Sequence, residues 1–406
     1  MVAANRNDAC IKSIEMKKCI YHSSLFLILL LAGACKKDVA GPALKDGVAP
    51  GPVSDVAVEN LNGAARIRYT LPGDADLLYI RARYATRQGV VRETKVSRYS
   101  RSVLVEGFGD TSAYQVSLYA VDKSENSSPV LDVTVHPLEP PIWIVRRQLA
   151  LTPDFGGINV KYTNPGENDL AIVVLANDSL GQFSPVTTNY TNLKAGDFST
   201  RNMPDVPTRF GVYIRDRWGN LSDTLTTQLT PLFEELLDRT KMKGLTLPTD
   251  APLGYSGSIA GLFDGNPTGG GFYHSGDAAR MPQWFTYDMG VTAKLSRLVW
   301  FMRPGFYYTL HNPREVEIWG SNDPNPDGSF DDSWTLLTTS VQTKPSGLPE
   351  GQLSQADIDA ALAGHTVEFP LNTPKVRYIR FKTLKNWSNG TYVNFYQIMM
   401  WGDTKK

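Results

Sequence analysis

The side chains able to do chemistry are unevenly spread along the 406 residues. Three segments of the last third mix aromatic rings with hydrogen-bonding groups: Phe272-Tyr273-His274, Arg303-Pro304-Gly305-Phe306-Tyr307-Tyr308 with His311-Asn312, and Asn386-Trp387-Ser388-Asn389 with Tyr392. That mixture suits a sugar. An aromatic face packs on the apolar C–H face of a pyranose, while Arg, His and Asn hydrogen-bond its hydroxyls, and planar groups do both at small entropy cost. Trp387 is the leading candidate, because Asn386, Ser388, Asn389 and Gly390 around it read as an exposed loop.

Catalytic patterns find little support. His22 and His136 lie in an apolar leader and a Pro-flanked linker, and His274, His311 and His365 lack the H-E-x-x-H spacing of a zinc protease. Gly254-Tyr255-Ser256-Gly257-Ser258 is not a nucleophile elbow, since Ser stands where the last Gly belongs. Gly269-Gly270-Gly271 follows no strand and ends at His274, so it is no dinucleotide fingerprint. Asp323-Pro324-Asn325-Pro326-Asp327-Gly328 with Asp331 mimics the first half of an EF-hand loop, but Trp334 stands where the bidentate Glu belongs, which favours a hairpin loop. With no convergent titratable cluster, the chain reads as a binding protein and not an enzyme. Equal numbers of basic and acidic residues, 41 each, give no basic excess for nucleic acid.

The elements that hold these residues begin with an export segment. Met16-Lys17-Lys18 supplies a positive start, Ser24 to Ala32 an apolar run too short to span a bilayer, and Gly33-Ala34-Cys35 small residues ending in a thiol. Leu31-Ala32-Gly33-Ala34-Cys35 resembles a bacterial lipobox, with Ala32 where Leu is usual. Cleavage there would leave a lipid-modified Cys35 as a membrane anchor. All three cysteines, Cys10, Cys19 and Cys35, precede residue 36, so the remainder can hold neither a disulfide nor a thiolate metal site. Residues 36–53, rich in Gly, Pro and charge, suit a flexible tether.

An internal repeat follows. Ile67-Arg68-Tyr69-Thr70-Leu71-Pro72-Gly73 recurs as Val160-Lys161-Tyr162-Thr163-Asn164-Pro165-Gly166, 93 residues on. Tyr119-Ala120-Val121-Asp122-Lys123 with Asn126 recurs as Tyr213-Ile214-Arg215-Asp216-Arg217 with Asn220, 94 residues on. A period this long means tandem globular domains. The Asp-basic-x-x-Asn segment reads as a polar turn closed by side-chain-to-backbone bonds. Each copy alternates apolar and polar residues in short runs, as a seven-stranded sandwich requires. Tyr114 has the position of a tyrosine corner, and Thr208 stands there in the second copy.

These copies resemble fibronectin type III domains. The C-terminal part resembles a discoidin domain (coagulation-factor type C, galactose-binding-like). The residues are Leu262-Phe263-Asp264-Gly265-Asn266, Pro282 to Gly290, Glu315 to Asn322 followed by Trp334, Val376 to Phe381, and Gln397 to Gly402, in the family's order over some 140 residues. The whole arrangement resembles Bacteroidetes envelope lipoproteins of glycan-uptake systems. The expected fold is therefore all-β: residues 54–137 and 138–230 as two immunoglobulin/fibronectin-like sandwiches, a linker helix at 231–243, and a discoidin-like jelly-roll sandwich at 244–406. The resemblance implies binding loops at one end of that last sandwich, which assigns Trp387, Tyr307, Tyr308, Arg303, His311, Tyr273 and His274 to a glycan site. It also implies a structural calcium near Asp264, Asn266 and Thr268, although the glutamate usual near the C-terminus is here Gln397. Expected partners are a glycan and a TonB-dependent outer-membrane transporter complex. The expected place is the outer membrane, at the cell surface or on its periplasmic face. An adhesion or scaffold protein binding other envelope proteins is the alternative.

Overall fold

The computed structural model describes residues 47–86 and 89–405. The export segment, Cys35 and most of the tether lie outside the described residues. The chain forms two compact units, Met1–Pro140 and Pro141–Lys406.

The first unit is a three-plus-four sandwich. Ser54–Leu61, Ala64–Thr70 and Ser102–Glu106 form one sheet; Val91–Ser97, Leu77–Ala85, Tyr114–Asp122 and Leu131–Val135 form the other. Their inward residues, among them Ile67, Ile80, Val103, Val105, Val116 and Leu118, make one core. The period-2 pattern thus encodes which face is buried. Tyr114 closes the corner: its hydroxyl donates to Asp110 Oδ1 at 2.7 Å.

The second unit opens with a sandwich of the same plan. Its sheets are Ala195–Ser199, Gly157–Thr163, Ala150–Asp154, and Phe183–Thr191, Leu170–Asn177, Thr208–Asp216, Leu225–Leu229. The repeated turn is identical in the two copies. Asp122 accepts from the Ser124 and Asn126 amides and from Asn126 Nδ2; Asp216 does the same with Trp218 and Asn220. It is the hydrogen-bonded turn expected.

Two boundaries differ from expectation. Residues 138–140, expected to open the second sandwich, belong to the first unit, because the Leu138 amide donates to Leu61 O and its carbonyl accepts from Gly63 N. A short helix, Pro141–Arg147, then buries Ile142 and Val145 in the second core. The expected helix at 231–243 is extended instead. Phe233, Leu236 and Leu237 have helical spacing, but the open edge of the following sheet takes the segment. Glu235 and Leu236 pair with Gly402 and Trp401, Leu237 enters the terminal core, and only Arg239–Lys241 makes a helical turn.

The same segment ties the second sandwich to the terminal domain. Leu232 bonds to Asp154 and Gly156, and the Glu234 carboxylate accepts from Ser296 Oγ at 2.6 Å and Arg297 Nε at 3.2 Å. Arg201 bridges Asp154 at 3.1 Å and Glu368 at 2.8 Å. The second sandwich and the terminal domain therefore form one body, not two beads joined by a helix.

The terminal domain is the discoidin-like sandwich expected. Its long strand, Gln283–Trp300, serves both layers. The first half pairs with Val376–Asn386 and Lys243–Leu245, and the second with Ile398–Asp403 and His365–Glu368. The register breaks between Asp288 and Ala293, at Gly290. Gly290 has φ +71°, and a Cβ there would stand 2.6 Å from Lys241 O, so only glycine fits this bend. Phe285, Phe381, Phe395, Trp300 and Tyr287 fill the core. The helix expected near Ser354 is present as Gln355–Ala363, with the Ser354/Asp357 capping box formed.

Candidate functional site

At one end of this sandwich a two-residue pairing, Tyr273–His274 with Asn394–Phe395, gathers three loops. The Gly254 amide donates to His274 O and the Ser258 amide to Phe272 O, which fastens loop 252–258. Gly257 lies so close that a Cβ would stand 2.4 Å from His274 N. The Asn394 amide donates to His311 O and the Ser275 amide to Val393 O, which fastens the other two loops.

The side chains so placed form an aromatic cluster. The Tyr255 ring lies 4.6 Å from His274 and 5.9 Å, edge-on, from Tyr392. His311 lies 5.1 Å from Tyr392 and 5.6 Å from His274. Asp277 organises them, since one of its oxygens accepts from the Tyr255 hydroxyl at 2.5 Å and the Tyr392 hydroxyl at 2.9 Å. Those bonds hold the Asp277 carboxyl below its ordinary range, Tyr255 first, and push the Tyr255 phenol up. His274 Nδ1 donates to Ser275 O at 2.7 Å, which fixes the orientation of the ring. Burial, then the nearby His274 and Arg303 charges, lower the pKa of His311, so it is neutral at pH 7. Tyr255 is 59% exposed. It is also held at φ +51°, with Ser256 at +62°. Such backbone strain persists only where surrounding structure enforces it, and it concentrates at functional sites. The end thus offers one open ring face, the neutral His311 imidazole beside His274, and an oriented carboxylate.

Of the residues assigned from sequence, His274, His311 and Arg303 belong to this end; Arg303 stacks on Phe306 at 4.4 Å. Tyr273 and Tyr308 are core side chains, 1% and 2% exposed, so they present no stacking face. Tyr307 is partly buried against the same core. Trp387 is half-buried there as well, its Nε1 donating to Gln342 Oε1 at 2.8 Å, its ring edge-on to Tyr308 and under Arg314. It lines the wall of the loop end more than it opens to solvent. Tyr255 and Asp277 were missed. The signal was the exposed look of Gly254-Tyr255-Ser256-Gly257, a ring flanked by glycines.

The expected calcium ligands Asp264, Asn266 and Thr268 hydrogen-bond within their own loop. Asp264 Oδ1 accepts from Asn266 N and Gln397 Nε2, and Oδ2 accepts from Gly271 N. Asn266 Oδ1 accepts from Thr268. Gln397 also takes the Gly265 amide, so the loop closes as a hydrogen-bonded turn around a neutral amide. The EF-hand-like loop likewise closes on itself. Asp331, held down to about 2, accepts from Ser333 and Ser329, and the Gly328 carbonyl accepts from the buried Arg380. Among the described residues no cluster of three or more His, Cys, Asp or Glu is placed to hold a metal ion.

Three family models match the chain, each described only as a domain of unknown function, over residues 50–137, 138–240 and 263–402. No curated protein matches. Among solved structures, a module of a family 31 glycoside hydrolase from Clostridium perfringens is 18% identical, covering 41% of this chain and 95% of its own, with a TM-score of 0.32. A two-domain fibronectin type III segment of chicken tenascin is 17% identical, covering 44% of this chain and 99% of its own, with a TM-score of 0.23. A SusE-like protein is 36% identical, covering 66% of this chain and all of its own, with a TM-score of 0.44. On that identity over the relative's full length, the chain belongs to the family of SusE-like proteins.

Proposed function

We propose that this protein is a non-catalytic glycan-binding lipoprotein of the bacterial envelope. Cys35 carries the lipid, and the tether of residues 36–53 holds the folded part of the chain off the membrane. The loop end of the terminal domain captures a polysaccharide and passes it to an outer-membrane importer of the TonB-dependent kind. Membership of the SusE-like family supports the setting. The observation that carries the binding role is the Asp277-fastened pair Tyr255 and Tyr392 beside His274 and His311. A pyranose can stack on Tyr255 while its hydroxyls bond to the His311 imidazole and donate to the second oxygen of Asp277, with Arg303 as donor. Fixing the rings in advance lowers the entropy cost of binding. A glycan array probed with the purified protein tests this. At least one glycan class should bind the wild type and fail to bind Tyr255→Ala and His311→Ala. Binding only to envelope proteins, with no glycan retained, would establish the scaffold alternative.

A further inference from the structure

The two fibronectin-like sandwiches share a plan but differ in one row of their outer four-stranded sheet. In an antiparallel sheet, directly paired residues share a face. In the first copy that row is Ser97–Tyr79–Val121. The central Tyr79 fills it, its hydroxyl bonded to Glu125 at 2.7 Å and its ring under Lys95 at 4.8 Å. In the second copy the row is Tyr190–Ala171–Arg215. The centre has shrunk to a methyl, and an aromatic and a guanidinium have appeared on either side.

The result is a groove of about 660 Å³, with Leu170 and Ala171 as floor and Tyr190, Thr191, Asn192 and Arg215 among its walls. That volume lies within the range of roughly 300–1,000 Å³ that small ligands occupy. Tyr190 is 73% exposed, an unusual degree for a tyrosine on a sheet. The Arg215 guanidinium reaches the Tyr190 hydroxyl at 3.4 Å. The groove's two carboxylates are already engaged. Asp216 accepts the three N–H bonds of its turn, and Asp169 pairs with Arg217 at 3.5 Å. Among the described residues no carboxylate is paired with Arg215.

We propose that this groove is a second glycan site, specific for a uronic-acid residue. The proposal rests on the glycan-binding reading above and adds a site on a different domain. The sugar's C–H face stacks on Tyr190, and its carboxylate takes the Arg215 fork, whose paired N–H groups match a carboxylate's two oxygens. Ala171 leaves room for the ring, where Tyr79 blocks it in the first copy. A neutral sugar would leave the guanidinium without an anionic partner, which is why the acid is favoured.

Titration calorimetry of the purified protein with galacturonate and glucuronate tetrasaccharides, and with the methyl ester of the former, tests this. One acid should bind and the ester should not. Arg215→Gln and Tyr190→Ala should each weaken acid binding roughly 10–100-fold, the worth of a hydrogen bond to a charged group, with the melting temperature unchanged. His311→Ala should leave this binding intact. Failure of both acids to bind, equal binding of the ester, or full binding by Arg215→Gln or Tyr190→Ala overturns the proposal. Loss with His311→Ala alone assigns the acid to the terminal domain, which also overturns the groove while leaving the loop-end reading standing.

Discussion

Replacing Arg380 by Met should destabilise the terminal domain. Arg380 is fully buried, with Nε donating to Thr286 Oγ1 at 3.2 Å and a terminal nitrogen to Gly328 O at 3.2 Å. Its guanidinium lies 4.2 Å from the Trp334 ring centre and 4.8 Å from that of Phe330, so it pins loop 323–334 onto the sheet. Asp250 is its carboxylate neighbour at 4.0 Å. Burial is the largest influence on both groups and pushes each toward neutrality, lowering Arg380 and raising Asp250, so desolvation outweighs the mutual attraction. Met fills much the same volume but leaves Asp250 buried without its cation. Breaking such a pair from one side costs about 3–5 kcal/mol, or roughly 10 °C of melting temperature for a domain of this size. Asp250→Asn added to Arg380→Met should recover part of the loss. The deficit of Arg380→Met should also shrink on acidification. A carboxyl whose folded pKa is raised favours the folded state as pH falls through that pKa. Thermal unfolding of the three variants between pH 4.5 and 8 reads all of this. A loss under about 1 kcal/mol for Arg380→Met, or a double variant worse than the sum of the singles, would refute the reasoning.

Three further outcomes are expected. His365, pushed down to about 4 by burial, is neutral when folded and protonated when unfolded between about pH 4 and 6.5. Stability should therefore fall as pH drops through that window, and His365→Gln should flatten the melting-temperature profile there. Trp387→Ala should cost about 2–3 kcal/mol of stability, because its half-buried ring packs on the core; a change under 0.5 kcal/mol in denaturant unfolding would return Trp387 to the role of a free stacking face. Cys35→Ser should release the protein from membranes without changing its unfolding, and retention in the lipoprotein fraction would contradict the anchor.

The sandwich plan was legible because alternation and the 93–94-residue repeat record which side of each strand is buried. The Asp122 and Asp216 turns were legible because their chemistry is local. The segment after Pro231 was not: Phe233, Leu236 and Leu237 satisfy a helical period, and only pairing with Trp401 and Gly402 of the distant strand Ile398–Asp403 decides that they are extended. Aromatics posed the same difficulty at the site. Tyr273 and Tyr308 look identical to Tyr392 in sequence, but two face the core and one the loop end. Which tyrosine is open depends on contacts far apart in sequence, such as that of Asp277 with Tyr392, 115 residues on.

The central claim is that the loop end of the terminal domain binds a glycan through Tyr255 and its neighbours. Titration calorimetry of an array-identified glycan against wild type and Tyr255→Ala tests it most directly. Loss of one exposed stacking ring should weaken binding by about 2 kcal/mol, roughly 30-fold, at unchanged melting temperature. Equal affinity of the two proteins would contradict the account.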